Sequence, residues 1–127
     1  MTEHGNRKTL DRQTKRLLDE ILVLGSMVEQ AVLQAVAALK KRDLAAARSI
    51  PDLDDEVDRL YNRINRELIK RVGQEPSSID TANYLMWASH NLERLADRVT
   101  NICERTVFIA TGEMIEFGKH LRVYKSG

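Results

Sequence analysis

From Leu10 to Ala38 the apolar and small residues recur in steps of four and three: Leu10, Thr14, Leu17, Ile21, Leu24, Val28, Ala31, Ala35 and Ala38. That spacing brings one face of an α-helix back to the same side at every turn, and no strand alternation reproduces it. The stretch holds one glycine, Gly25, and no proline, so the spacing predicts an uninterrupted helix from about Thr9 to Arg42, roughly 50 Å long at ~1.5 Å per residue. A helix of that length with one apolar side must be covered along that side by other elements.

The following segments supply the cover. Asp43 can cap a short helical stretch, Leu44 to Ser49, and Pro51 disfavours helical geometry at Ile50, so a kink or restart is expected there. From Asp52 the helical pattern resumes as Leu53, Val57, Leu60, Ile64, Leu68 and Val72, and Gly73 with Pro76 ends it. Ser77 or Ser78 can accept amide protons at the start of a third long helix, whose core stripe reads Leu85, Ala88, Leu92, Leu95, Val99, Ile102 and Thr106, with Gly112 as its stop. The expected architecture is all-α: an antiparallel three-helix bundle over residues 9–112, followed by a tail, 113–127.

Composition removes several classes of function. Lysine and arginine number 20 against 19 acidic residues, so no net field is available to hold nucleic acid or anionic lipid. The longest strongly apolar stretches, around Ile21–Leu24 and Val107–Ala110, fall short of the ~18 residues of a bilayer span, and residues 1–8 carry no secretory h-region. The expectation is a soluble, cytoplasmic protein, which the lone cysteine, Cys103, also suits. No nucleophile, base and orienting group can be assembled, no Glu-x-x-His of a di-iron oxidase occurs, and no glycine-rich phosphate loop is present. An enzyme is not expected.

Two pairs of acids carry the chemistry of the chain. Asp54 and Asp58 lie four apart on the second long helix, Glu93 and Asp97 four apart on the third, so each pair projects from one face. Antiparallel helices joined by a short loop align residues equidistant from that loop. Asp54 with Asp97 and Asp58 with Glu93 are both centred on the middle of the Gly73–Ser78 connection, so four carboxylates should share one level beside the apolar seam. Such crowding calls for arginines, protons or a cation. Two readings stand: a solvated ion-pair face balanced by Arg59, Arg63, Arg94 and Arg98, or a cation site whose oxygen-only ligands suit Mg²⁺, Mn²⁺ or iron better than zinc. Asn101, one turn beyond Asp97, is either a further ligand or a surface amide. His90, three residues before Glu93, reads as a surface histidine rather than a ligand, and Cys103 as a buried apolar residue rather than a reactive thiol.

At these residues the chain resembles the PhoU family. The family's acidic signature, an acid followed four residues later by Asp, is similar to Asp54-Asp55-Glu56-Val57-Asp58 and to Glu93-Arg94-Leu95-Ala96-Asp97. NLERLADRVTNICERTVFIATGE, Asn91 to Glu113, resembles the family's closing helix, and LLDEILVLGSMVEQAV, Leu17 to Val32, its first. The resemblance covers roughly residues 10–113. It implies a regulator that restrains phosphate uptake and phosphate-starvation signalling through the phosphate ABC transporter ATPase and a phosphate-sensing histidine kinase, reaching the membrane only through those partners. It also implies a metal ion or cluster, iron first and Mn or Mg next, on Asp54, Asp58, Glu93 and Asp97. Two features depart from the family: one three-helix repeat stands where two are usual, so the chain reads as a single-repeat member or a shortened piece, and Pro51 precedes the first acid pair. A missing repeat would leave an apolar surface open, and Trp87 with Phe108, both off the core stripe, are the expected anchors of a homodimer. Alternatively the first helix or the tail, through Phe117, Leu121 and Tyr124, covers them. A structural, self-associating bundle with no metal or signalling role is the competing functional reading.

Overall fold

The computed structural model describes residues 2–117, and side chains from residue 12 onward. The first helix, α1, runs Thr2–Lys41, a short α2 spans Leu44–Ser49, α3 spans Asp54–Gln74 and α4 spans Ile79–Thr111. Single 3₁₀ turns, Ile50–Leu53 and Pro76–Ser78, join α2 to α3 and α3 to α4. Three long helices form the expected bundle, and no strand occurs among the described residues.

The junctions follow from local chemistry. Where α1 ends, Arg42 takes φ 53°, and the Asp43 amide returns to the Ala38 carbonyl at 2.9 Å, a left-handed helix end made without glycine. Asp43 then caps α2, its side chain accepting from the Ala46 amide at 3.1 Å. The expected restart falls at Pro51, which sits in the first turn of the 3₁₀ segment, where a missing amide costs nothing, before α3 begins at Asp54; Ile50 nevertheless keeps helical angles, φ −57° and ψ −42°. At the start of α4 the expected serine cap is absent. The hydroxyls of Ser77 and Ser78 donate to Glu75 instead, to its side chain and its carbonyl, both at 2.7 Å. Gly112 closes α4 with φ 79° and its amide on the Phe108 carbonyl at 2.7 Å.

Burial on α1 follows the stripe read from sequence: Leu17, Ile21, Leu24, Val28, Ala31, Ala35 and Ala38 are all core, while Leu10 lies outside the described side chains. On α4 the stripe is displaced. Ala88 and Leu95 are exposed, and the buried positions are Ala82, Ser89, Ala96, Val99, Thr100, Cys103, Thr106 and Val107. The reason is close packing on several sides. α4 touches α1, α2 and α3, and small residues at the closest approaches let the backbones come together while larger leucines sit at the margins. Ser89 and Thr106 bond carbonyls one turn back within α4, which makes their burial tolerable.

The core has two parts. Leu17 to Val28 of α1 pack with Val57, Ile64 and Leu68 of α3 and with Ala82 and Ala96 of α4. Ala31 to Ala38 pack with Ala47, Ile50, Val99, Cys103 and Val107, under Ile115 and Phe117. The start of the tail is therefore placed: the Phe117 amide donates to Glu104 at 2.6 Å, and Phe117 covers the second cluster. Leu121 and Tyr124 lie outside the described residues.

By length and composition α1 does qualify as a membrane-crossing helix, contrary to the expectation drawn from the strongly apolar stretches. Its Arg12–Lys41 portion reaches a mean hydropathy of 1.7 over an 18-residue window, a third of which is buried in the bundle. Isoleucine, leucine, valine and alanine carry the average across the interspersed Glu29, Gln30 and Gln34. Seven positions of that portion serve the core.

Candidate functional site

α3 begins at Asp54, so Asp54, Asp55 and Glu56 occupy its first turn, where unsatisfied amides and the helix dipole favour negative charge. Asp58 follows one turn later. Across the seam, Glu93 and Asp97 face them from the middle of α4, next to the place where the first core cluster, with Val57 and Ala96, gives way to the second, with Leu53 and Val99. All four carboxylates are half-buried, as the register predicts.

Their proximity shows in the titration of Glu93. Burial, then the charges of Asp97, Asp58 and Asp54 in that order, then a hydrogen bond with Asp97 push its carboxyl up from 4.5 to about 7. Glu93 thus feels the charges of the other three acids across two helices. As the side chains stand, however, no three His, Cys, Asp or Glu groups among the described residues converge on a ready metal-binding position. The donor chemistry, oxygen alone on helices held by a shared core, suits a hard cation, and closing around one requires side-chain rotation.

The remaining predicted residues divide clearly. Asn101 is half-buried one turn past Asp97, and its carbonyl accepts from Arg105 at 3.5 Å. Arg63 is engaged by Glu20 of α1 at 3.3 Å. His90 is exposed and shares a 3.1 Å hydrogen bond with the Tyr61 hydroxyl of α3. Sequence reading missed that bond, although Tyr61 and His90 are equidistant from the α3–α4 connection just as Asp58 and Glu93 are. Trp87 and Phe108 are 69% and 49% exposed, and Phe117 covers the second core cluster instead. Cys103 is fully buried, and desolvation with the nearby Glu104 charge raises its thiol to about 11.

The PhoU domain matches residues 21–106, a span that holds both acid pairs and most of the three long helices. The chain belongs to the PhoU family. Among its relatives, a PhoU homologue of Clostridium acetobutylicum, called a phosphate-specific transport system accessory protein, is 31% identical over 100 residues, which cover 79% of this chain and 46% of the relative. Homologues of the same name from Zymomonas mobilis and Caulobacter vibrioides are 38% and 33% identical over 93 and 113 residues, 73% and 89% of this chain and 39% and 46% of theirs. The chain thus spans less than half the length of these relatives. No solved structure matches it.

Proposed function

We propose that this protein is an accessory regulator of a phosphate-specific transport system: a non-catalytic adaptor that restrains phosphate uptake and the starvation response by contacting the transporter's ATPase and a phosphate-sensing histidine kinase. The observation that carries this reading is the continuous family match over residues 21–106, which takes in both acid pairs and the helices that set them level. The names of the relatives supply the link to phosphate transport. Work on the cytoplasmic side, touching the membrane only through partners, belongs to the same proposal.

Capture of the transporter ATPase and the histidine kinase from the source organism's own set, by wild type and by the double variant Asp58→Asn with Glu93→Gln, tests it. Binding by wild type and a loss of roughly tenfold in the variant are expected. If wild type binds neither partner, the bundle is only a structural or self-associating module.

A cation at Asp54, Asp58, Glu93 and Asp97, iron before Mn or Mg, is the finer part of the proposal, supported by the donor set and by the crowding that a cation would relieve. The same double variant should weaken binding of Fe, Mn and Mg; unchanged affinity would reduce the cluster to a charged face.

A further inference from the structure

The opposite half of α3 forms a cleft with the N-terminal half of α1, about 340 Å³ in volume, that contains no member of the carboxylate cluster. Arg71 is thirteen residues beyond Asp58 on the same helix, about 20 Å along its axis. Around the cleft stand four cations, Arg16, Arg63, Lys70 and Arg71, against two acids, Glu20 and Glu67. An excess of positive charge around a concavity on a nearly neutral chain is a local feature that bulk composition hides.

Two details give the cleft a more specific character. Arg71 is only 7% exposed and already has an interaction partner, so its guanidinium is held in place in the last turn of α3 rather than waving in water. Glu20 uses Oε1 to hold Arg63, while its Oε2 is enclosed and has no hydrogen-bond partner. An acceptor left unsatisfied in such a place is destabilising until a donor reaches it. Glu20 lines the cleft and its side chain is 21% exposed, so a turn of its carboxylate presents that oxygen to the cleft.

A ligand that meets these groups must present anionic oxygens to guanidinium and ammonium donors, and also one O–H donor to a carboxylate. We propose that the cleft binds inorganic hydrogen phosphate, with Arg16, Lys70 and Arg71 donating to its charged oxygens and Glu20 Oε2 accepting its P–O–H proton. Sulfate carries no proton at neutral pH and would set a bare oxygen against Glu20. A phosphate monoester is mostly a dianion above its second pKa of about 6, so it too lacks the donor. The regulatory proposal does not depend on this cleft and survives its failure.

Titration calorimetry of the full chain at pH 7.5, in chloride buffer free of phosphate and sulfate, tests the assignment with sodium phosphate, sodium sulfate and methyl phosphate in parallel. Saturable phosphate binding, at least about tenfold tighter than that of either other anion, is expected. Glu20→Gln, which replaces the acceptor edge with an amide able to donate, should bring phosphate and sulfate to within about twofold of each other. Lys70→Met, at an exposed position that folding does not need, should weaken phosphate binding severalfold while the melting temperature holds. Absence of saturable phosphate binding, equal binding of phosphate and sulfate by wild type, a preference that survives Glu20→Gln, or methyl phosphate binding as tightly as phosphate would each overturn it.

Discussion

The carboxyl of Glu93 hydrogen-bonds that of Asp97 one turn along α4, with the charges of Asp58 and Asp54 close by on α3. A proton shared in this way is the least demanding answer to four acids at one level, and it makes the metal-free protein sensitive to pH. Glu93 has a folded pKa of about 7 against 4.5, so between those values the native state binds more protons than the unfolded state, and stability falls as pH rises through that window. Because the group is partly exposed, the expected loss is on the order of 1 kcal/mol rather than the full value of the shift. Urea unfolding in EDTA at pH 5 and pH 8 should show it, and Glu93→Gln should flatten the difference. A wild type equally stable at both values would mean that the carboxylates do not crowd.

Cys103 offers a second check on the packing. Its thiol is enclosed in the second core cluster and pushed up to about 11, so almost no thiolate exists at pH 8 and reagents cannot reach what there is. Labelling with a disulfide reagent should proceed only as fast as the bundle opens, and should become rapid in denaturant. Labelling at the rate of a free thiol in native buffer would show the cluster around Val99 and Val107 to be loose.

Two adjacent residues of α1 should respond in opposite directions. Leu24 is fully buried, and Leu24→Ala should cost about 3 kcal/mol through lost contacts and a cavity. Next to it, a Cβ on Gly25 would stand 3.6 Å from Leu92 Cδ1, an ordinary contact, in a helix where alanine is worth up to about 1 kcal/mol over glycine. Gly25→Ala should therefore stabilise the protein by about 0.5–1 kcal/mol, read as a higher urea midpoint at constant slope. Destabilisation would mean that α1 and α4 approach more closely there than the 3.6 Å contact implies.

These outcomes mark what sequence could show and where it stopped. The α1 stripe was legible because steps of four and three identify one face without reference to any partner, and the acid pairs were legible because a short connection fixes the register of α3 against α4. The α4 stripe was misplaced because large residues such as Leu95 draw the eye, while a helix packed against three neighbours buries Ala82, Ser89, Ala96 and Thr100 instead. The basic cleft was hidden for another reason. No short loop sets α1 against α3, so nothing in the text aligns Glu20 with Arg63, and Arg71 looks like a solvated neighbour of Val72 until the fold buries it.

Self-association is the remaining expectation, and Trp87 is its reporter. It is the chain's only tryptophan and is 69% exposed on α4, with Tyr84 exposed one turn earlier. Aromatic groups placed this way are typical anchors when a second surface covers them. If two copies meet through this face, dilution from tens of micromolar should shift Trp87 emission to the red as the ring returns to water, and the mass by light scattering should fall from two chains toward one over the same range. Trp87→Ala should abolish both changes without altering the melting temperature of the monomer. Emission that is already that of a fully hydrated indole at every concentration, together with a strictly monomeric mass, would remove Trp87 from any interface between copies.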